Sequence, residues 1–167
     1  MASIGSLQRL SAESLSKLIL AEQAAASGND PTVAIVDVRD DDYIGGHIKG
    51  AINVPSRQLE AKFPTLVRQL QDKQIVVFHC ALSQQRGPSA ALKYLRERDR
   101  FAVFQANKAA VAASSSAEGE ENKEDKQVEQ KVYVLDQGFV GWQAVYGEDE
   151  RLTEGYRKEL WADGYWG

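Results

Sequence analysis

Residues 75–98 read IVVFHCALSQQRGPSAALKYLRER. Ile75 to His79 is almost wholly apolar, which predicts a strand covered on both faces. From Pro88 to Arg98, Ala91, Leu92 and Leu95 fall on one face at helical spacing, which predicts a helix. The short loop between them holds the only cysteine of the chain, Cys80, and ends at Arg86. A strand that runs through a short loop into a helix aims that helix's free N–H groups and positive dipole end back at the loop. Such a site binds a tetrahedral oxyanion and stabilises a thiolate. Arg86 adds a planar fork of donors for two anion oxygens. The five residues between Cys80 and Arg86 leave room for a ring of backbone N–H groups around a group the size of phosphate.

Strand and helix patterns alternate on both sides of this unit. Leu7 to Leu10 reads as a short opening strand. Ser11 follows as a helix N-cap, and Leu15, Leu18 and Ile19 mark an amphipathic helix over 12–26. Residues 27–31 end it with Gly28 and Pro31. Thr32 to Val38 (TVAIVDV) predicts a second buried strand, and 39–50 a charged, glycine-rich loop. Ala51 to Val54 predicts another short strand, stopped by Pro55. Ser56 can cap a helical segment, and Pro64 is expected to divide it from a second one holding Leu66, Val67 and Leu70. Residues 106–130 lack aromatics and are rich in Ala, Ser, Glu and Lys, which predicts a flexible surface insertion, with helix at its start. Lys131 to Asp136 predicts a last strand, and Gly138 leads into a last helix. This alternation predicts an α/β domain with a mostly parallel sheet.

The 167 residues fit one domain, 43% hydrophobic and 26% charged. A net charge of −4 gives no basic surface for nucleic acid or an anionic membrane. No apolar run approaches the roughly 20 residues of a membrane span, and no secretory signal pattern opens the chain. One cysteine excludes an internal disulfide and zinc sites built on several thiolates, and His47 and His79 make a poor metal site, so no metal is expected. A lone thiol points to a reducing compartment, cytosol or nucleus.

HCALSQQRGP (79–88) resembles the signature loop of the M-phase inducer dual-specificity phosphatases and their small relatives on the rhodanese fold, which include fungal and plant phosphatases and eukaryotic arsenate reductases. AIVDVRDDDYIGGHIKGAINVPS (34–56) and QGFVGWQAVYG (137–147) resemble that fold's opening and closing segments. YGEDERLTEGYRKELW (146–161) is most similar to the small fungal members. The resemblance implies an α/β, rhodanese-like three-layer domain spanning 1–167, with a central, mostly parallel five-stranded sheet flanked by helices. It implies that Cys80 is a nucleophile forming a phosphocysteine intermediate. Arg86 would bind the phosphate and its transition state. The amides of Ala81, Leu82, Ser83, Gln84 and Gln85 would cradle the oxyanion, and His79 would help orient the loop.

The pattern also departs from its relatives. Ala81 and Gln85 stand where the mitotic family has acidic loop residues, and Gly87 stands where ordinary tyrosine phosphatases have Ser or Thr. There is no Trp-Pro-Asp loop. The general acid is therefore open: Asp41, Asp42 or a proton on the substrate itself. Aryl phosphates are expected to react far better than alkyl ones. Substrates are expected to be phosphorylated proteins or small aryl phosphates, with phosphate, arsenate or sulfate as oxyanion ligands and no cofactor. Arsenate reduction on the same loop is the alternative; it needs an external thiol such as glutathione, with glutaredoxin. Sulfur transfer through a Cys80 persulfide is disfavoured, because true rhodaneses have a loop one residue shorter. A non-catalytic phosphate-binding module is disfavoured by the intact Cys80 and Arg86.

Several other polar residues have structural readings. Asp37 and Arg39 are expected to be a buried pair that holds the fold, and His47 a turn histidine. Ser83 is expected either to bond the loop backbone or to tune the thiolate. Trp142, Trp161 and Trp166 are expected to pack, and Arg57, Lys93 and Arg96 to be solvated.

Overall fold

The computed structural model describes residues 7–25, 32–114 and 130–161. The apolar runs become the strands of one five-stranded sheet: β1 (Gln8–Leu10), β2 (Val33–Asp37), β4 (Ile52–Asn53), β5 (Ile75–His79) and β6 (Lys131–Leu135). Their order is β1-β6-β5-β2-β4, and every pairing is parallel. Parallel neighbours need crossovers, and helices supply them: α1 (Ala12–Ala24), α2 (Leu59–Leu70), α3 (Arg86–Ser114) and α4 (Gly138–Tyr146).

The two-residue period of a strand sends alternate side chains to opposite layers. Ala34, Val36, Val76 and Phe78 pack with Leu59, Phe63, Leu66, Leu70, Ala91 and Tyr94 of α2 and α3. Ile35, Val77 and Leu135 pack with Leu15 and Ile19 of α1 and with Phe139 and Trp142 of α4. This is the helix-flanked α/β sheet expected from the sequence. Ser11 caps α1 as expected, its hydroxyl accepting from Ser14 N–H at 3.1 Å.

Four expectations change. Pro64 lies inside a single helix, α2, and does not divide two. Leu59, Phe63, Leu66, Val67 and Leu70 are all buried, so one continuous apolar face spans the proline. Burying each such side chain is worth roughly 1.5–3 kcal/mol, against about 3 kcal/mol for an interior proline. The helix expected over Pro88–Arg98 instead starts at Arg86 and runs unbroken to Ser114, so the helix expected at the start of the insertion is its continuation; residues 115–129, and Trp166, lie outside the described residues. The 39–50 loop contains a short strand, β3 (His47–Ile48), paired antiparallel with β7 (Thr153–Glu154). The chain then adds α5 (Lys158–Trp161), which the sequence reading lacked.

Trp142 and Trp161 are buried, their Nε1–H groups donating to Thr153 Oγ1 at 3.0 Å and Gly45 O at 2.9 Å. His47 lies within the β3–β7 ladder and stacks on Tyr43. Lys93 and Arg96 are exposed, and Arg57 is exposed but paired with Asp41. Trp142, Trp161, Lys93, Arg96 and Arg57 have the packing and surface settings expected of them, whereas His47, expected in a turn, lies in a strand.

Candidate active site

β5 lies inside the sheet, between β2 and β6, and delivers Cys80 at its carboxyl end. Crevices outside the carboxyl ends of parallel strands are where ligands bind in such sheets. Cys80, Ala81, Leu82, Gln84, Gln85 and Arg86 line a hollow of about 220 Å³ there. Cys80 is only 3% exposed, yet it lines that hollow. Ser83 turns inward through a left-handed backbone (φ 55°), is fully buried, and gives its N–H to Cys80 Sγ at 3.2 Å. Among the described residues its hydroxyl has no hydrogen-bond partner, so the side chain does not bond the loop backbone as expected; it is the backbone N–H that meets the sulfur.

The loop is held from behind by α4. Phe139 N–H donates to Cys80 O at 3.0 Å and Val140 N–H to Ala81 O at 2.9 Å. His79 is buried, and its Nδ1 lies 3.1 Å from Cys80 O. A carbonyl only accepts, so Nδ1 carries the proton. Planar trans peptides point N–H opposite to C=O. With the Cys80 and Ala81 carbonyls tied to α4, Ala81 N–H and Leu82 N–H are turned away from it. Among the described residues, no hydrogen bond takes the N–H groups of Ala81, Leu82, Gln84 or Gln85. Gly138 makes the close approach possible. Its φ is +58°, and a Cβ there would collide with the carbonyl oxygens of Ala81 and Cys80. Gly87 is similarly tight, since a Cβ would stand 3.3 Å from His79 Cα. That crowding is a physical reason for glycine after Arg86.

Below the loop, Asp37 and Arg39 form a fully buried bidentate pair, with Nη2 to Oδ2 at 2.7 Å. The Arg39 guanidinium also packs over the Phe139 and Tyr43 rings, at 4.2 and 5.0 Å. The pair ties β2 to α4 and the 39–50 loop, a holding role as expected. His79 Nε2 stands 3.7 Å from Asp37 Oδ2, too far for a hydrogen bond. Burial pushes the His79 imidazole below its ordinary pKa, with the neighbouring Arg39 cation adding to the shift and Asp37 opposing it.

Arg86 has unforeseen neighbours. Nη1 and Nη2 donate to the two oxygens of Asp42 at 2.8 and 2.6 Å, and Nη1 also reaches Asp40 Oδ2 at 3.4 Å. The Asp42 fork drives the Arg86 pKa well above its usual range. The same fork holds the Asp42 carboxyl below the usual carboxylate range. For Asp40, burial acts upward, but the Ser56 hydroxyl, Arg57 N–H and Arg86 outweigh it and the pKa is lowered. Asp42, one of the two acids considered from the sequence, is thus held ionised. The other, Asp41, is exposed and bonded to Arg57 at 2.5 Å. Sequence reasoning also missed Arg9, whose Nη2 donates to Ser83 O at 3.2 Å, and Gly138. The Asp-Gln-Gly turn after the last strand was the available signal for Gly138; nothing in the sequence brings Arg9 to the loop.

Residues 20–145 match the rhodanese-like domain family. Over 138 residues the chain is 35% identical to a Cdc25-like phosphatase of Saccharomyces cerevisiae, covering 76% of each chain. It is also 35% identical to an arsenate reductase of Oryza sativa subsp. japonica over 133 residues, covering 79% of this chain and 69% of the relative. A solved yeast protein tyrosine phosphatase of the rhodanese family superposes with a TM-score of 0.65 at 31% identity, covering 92% of this chain and 96% of that one. The parallel sheet, the Cys80 loop at its carboxyl edge and these likenesses together place the chain in the rhodanese-like family.

Proposed function

We propose that the chain is a cysteine-dependent phosphatase of the protein-tyrosine or dual-specificity type, acting on phosphate monoesters of proteins or small aryl alcohols. The observation that carries the reading is the set of unengaged loop N–H groups around Cys80, with Arg86 at the end of the same loop. The relatives' phosphatase names support it. In the proposed reaction the Cys80 sulfur attacks phosphorus in line with the leaving oxygen, giving phosphocysteine and the alcohol. Water then attacks phosphorus, releasing inorganic phosphate and the thiol. The loop amides and Arg86 stabilise the charge on the equatorial oxygens. The nucleophile and the oxyanion-binding groups are side chain and backbone, and the leaving oxygen takes its proton from the protonated phosphate of the substrate, so the proposed scheme calls for no cofactor. The fold, acting as a single domain over 1–167 in the cytosol or nucleus, is part of the same proposal.

Hydrolysis of para-nitrophenyl phosphate tests the reading, with reductant and a chelator present and Cys80→Ser alongside. Turnover abolished by the substitution is the expected result. No turnover by folded wild type would overturn it. The plant arsenate reductase likeness supports a second reading. Arsenate matches phosphate in shape and charge, and its two-electron reduction to arsenite would oxidise two thiols to a disulfide. Cys80 is the only cysteine, so glutathione, with glutaredoxin, must supply the rest. Arsenite production under those conditions, without para-nitrophenyl phosphate turnover, would establish that reading instead.

A further inference from the structure

We propose that Asp42 is a built-in competitor for the oxyanion site, a specificity-determining carboxylate that an incoming phosphate must displace from Arg86. The inference rests on the Cys80 loop being the oxyanion site. A carboxylate presents two oxygens to a guanidinium in the geometry that a phosphate also offers. Asp42 occupies that fork with bonds of 2.8 and 2.6 Å, and Asp40 adds a third at 3.4 Å. Those carboxylates account for the hydrogen bonds of the Arg86 side chain among the described residues.

The competitor is preorganised. Asp42 Oδ1 also accepts Asp40 N–H at 2.9 Å, and Ile44 N–H donates to Asp42 O at 2.9 Å. The segment is fastened at its other carboxylates as well. Asp40 accepts from the Ser56 hydroxyl and from Arg57 N–H, and Asp41 accepts from the Arg57 side chain. Asp40 and Asp41 are thus fastened mainly to Ser56 and Arg57, and Asp42 is the acid whose main side-chain partner is Arg86 of the Cys80 loop. When Arg86 turns to a bound anion, Asp42 keeps its backbone donor, Asp40 N–H.

Two consequences follow for ligands. Each oxyanion binds with its affinity reduced by the fraction of protein in which Arg86 is released. Anions with one diffuse charge compete poorly with a bidentate carboxylate, so doubly charged tetrahedral anions gain an advantage. The established alternative roles for such an acid predict something else. A general acid would change the rate of leaving-group departure, and a purely structural salt bridge would change stability alone.

The test is calorimetric titration of the reduced protein with inorganic phosphate at neutral pH. Wild type is compared with Asp42→Asn, with Asp42→Ser, which retains a short acceptor for Asp40 N–H, and with Asp149→Asn, which removes a charge from the exposed Asp149–Arg151 pair. The expected result is a Kd for phosphate about tenfold lower in both Asp42 variants, with the Asp149 variant like wild type; tenfold is the gain when the released form rises from a tenth of the population to all of it. The KM for para-nitrophenyl phosphate should fall by a similar factor. Phosphate binding unchanged or weakened in both folded Asp42 variants, while wild type still turns over, would overturn this inference and leave the phosphatase reading standing. Loss of binding and turnover in wild type and variants alike would overturn both.

Discussion

Adding one methyl group at Gly138 should uncouple the Cys80 loop from the helix that holds it. Gly138 has φ +58°, and the Cβ of an alanine would stand 2.6 Å from Cys80 O and closer still to Ala81 O. A left-handed backbone costs a non-glycine residue roughly 1–2 kcal/mol. Forcing an extra carbon into packed backbone costs about 1–3 kcal/mol more. Gly138→Ala should therefore lose about 2–5 kcal/mol, a fall of roughly 5–20 °C in Tm for a chain of this size. Gly155 isolates the first contribution, because its φ is +64° and a Cβ there would meet nothing within 4 Å. Gly155→Ala should lose only about 1–2 kcal/mol. Relief of the Gly138 clash would move the Cys80–Ala81 peptides, whose carbonyls bond Phe139 N–H and Val140 N–H. A displacement on the order of 1 Å can cost about 10²-fold in rate. Urea unfolding would give the two stability losses, and para-nitrophenyl phosphate hydrolysis the activity. Equal losses at the two positions, or full activity in Gly138→Ala, would refute the claim that α4 sets the loop's shape.

Other outcomes follow from the same geometry. Asp37→Ala leaves the Arg39 guanidinium buried without its carboxylate, and should cost about 3–5 kcal/mol in urea unfolding; a loss under about 1 kcal/mol would contradict the holding role. The unfolded His79 takes a proton near 6.5, whereas the buried imidazole is held below that value by burial. Acid therefore favours the unfolded chain: stability is present above pH 6.5 and should fall as pH drops from there toward 5. The slope approaches about 1.4 kcal/mol per pH unit for one proton. His79→Gln should flatten that slope, and an unchanged slope would place the proton elsewhere. Because Asp40 and Asp42 are both held ionised, para-nitrophenyl phosphate should outpace a phosphoserine peptide by at least about 10², the value of a positioned acid. Equal rates on the two substrates would reveal an acid that this arrangement lacks.

Much of the architecture was legible because it depends on local pattern. The runs 32–38, 75–79 and 131–136 are apolar enough to declare buried strands, and Cys80, Arg86 and the loop between them are contiguous, so their meeting needs no long-range folding. Pro64 misled because backbone preference is a local signal, whereas the apolar face that overrides it is satisfied only by packing against the sheet. Short pairings such as His47–Ile48 with Thr153–Glu154 carry little pattern of their own and form only because the fold brings these distant segments side by side.

By itself, then, the sequence determined the strand–loop–helix unit on which the proposed anion site rests, since the strand, the loop holding Cys80 and Arg86, and the helix after it are contiguous in residues 75–98. Only the tertiary structure decided what surrounds that unit. Asp42 meets Arg86 across 44 residues of chain, Arg9 meets Ser83 across 74, and the N–H groups of α4 fasten the loop from behind. These contacts join residues far apart in the chain, and no local periodicity encodes them. They exist because parallel strands carry the loops at their carboxyl ends to one edge of the sheet.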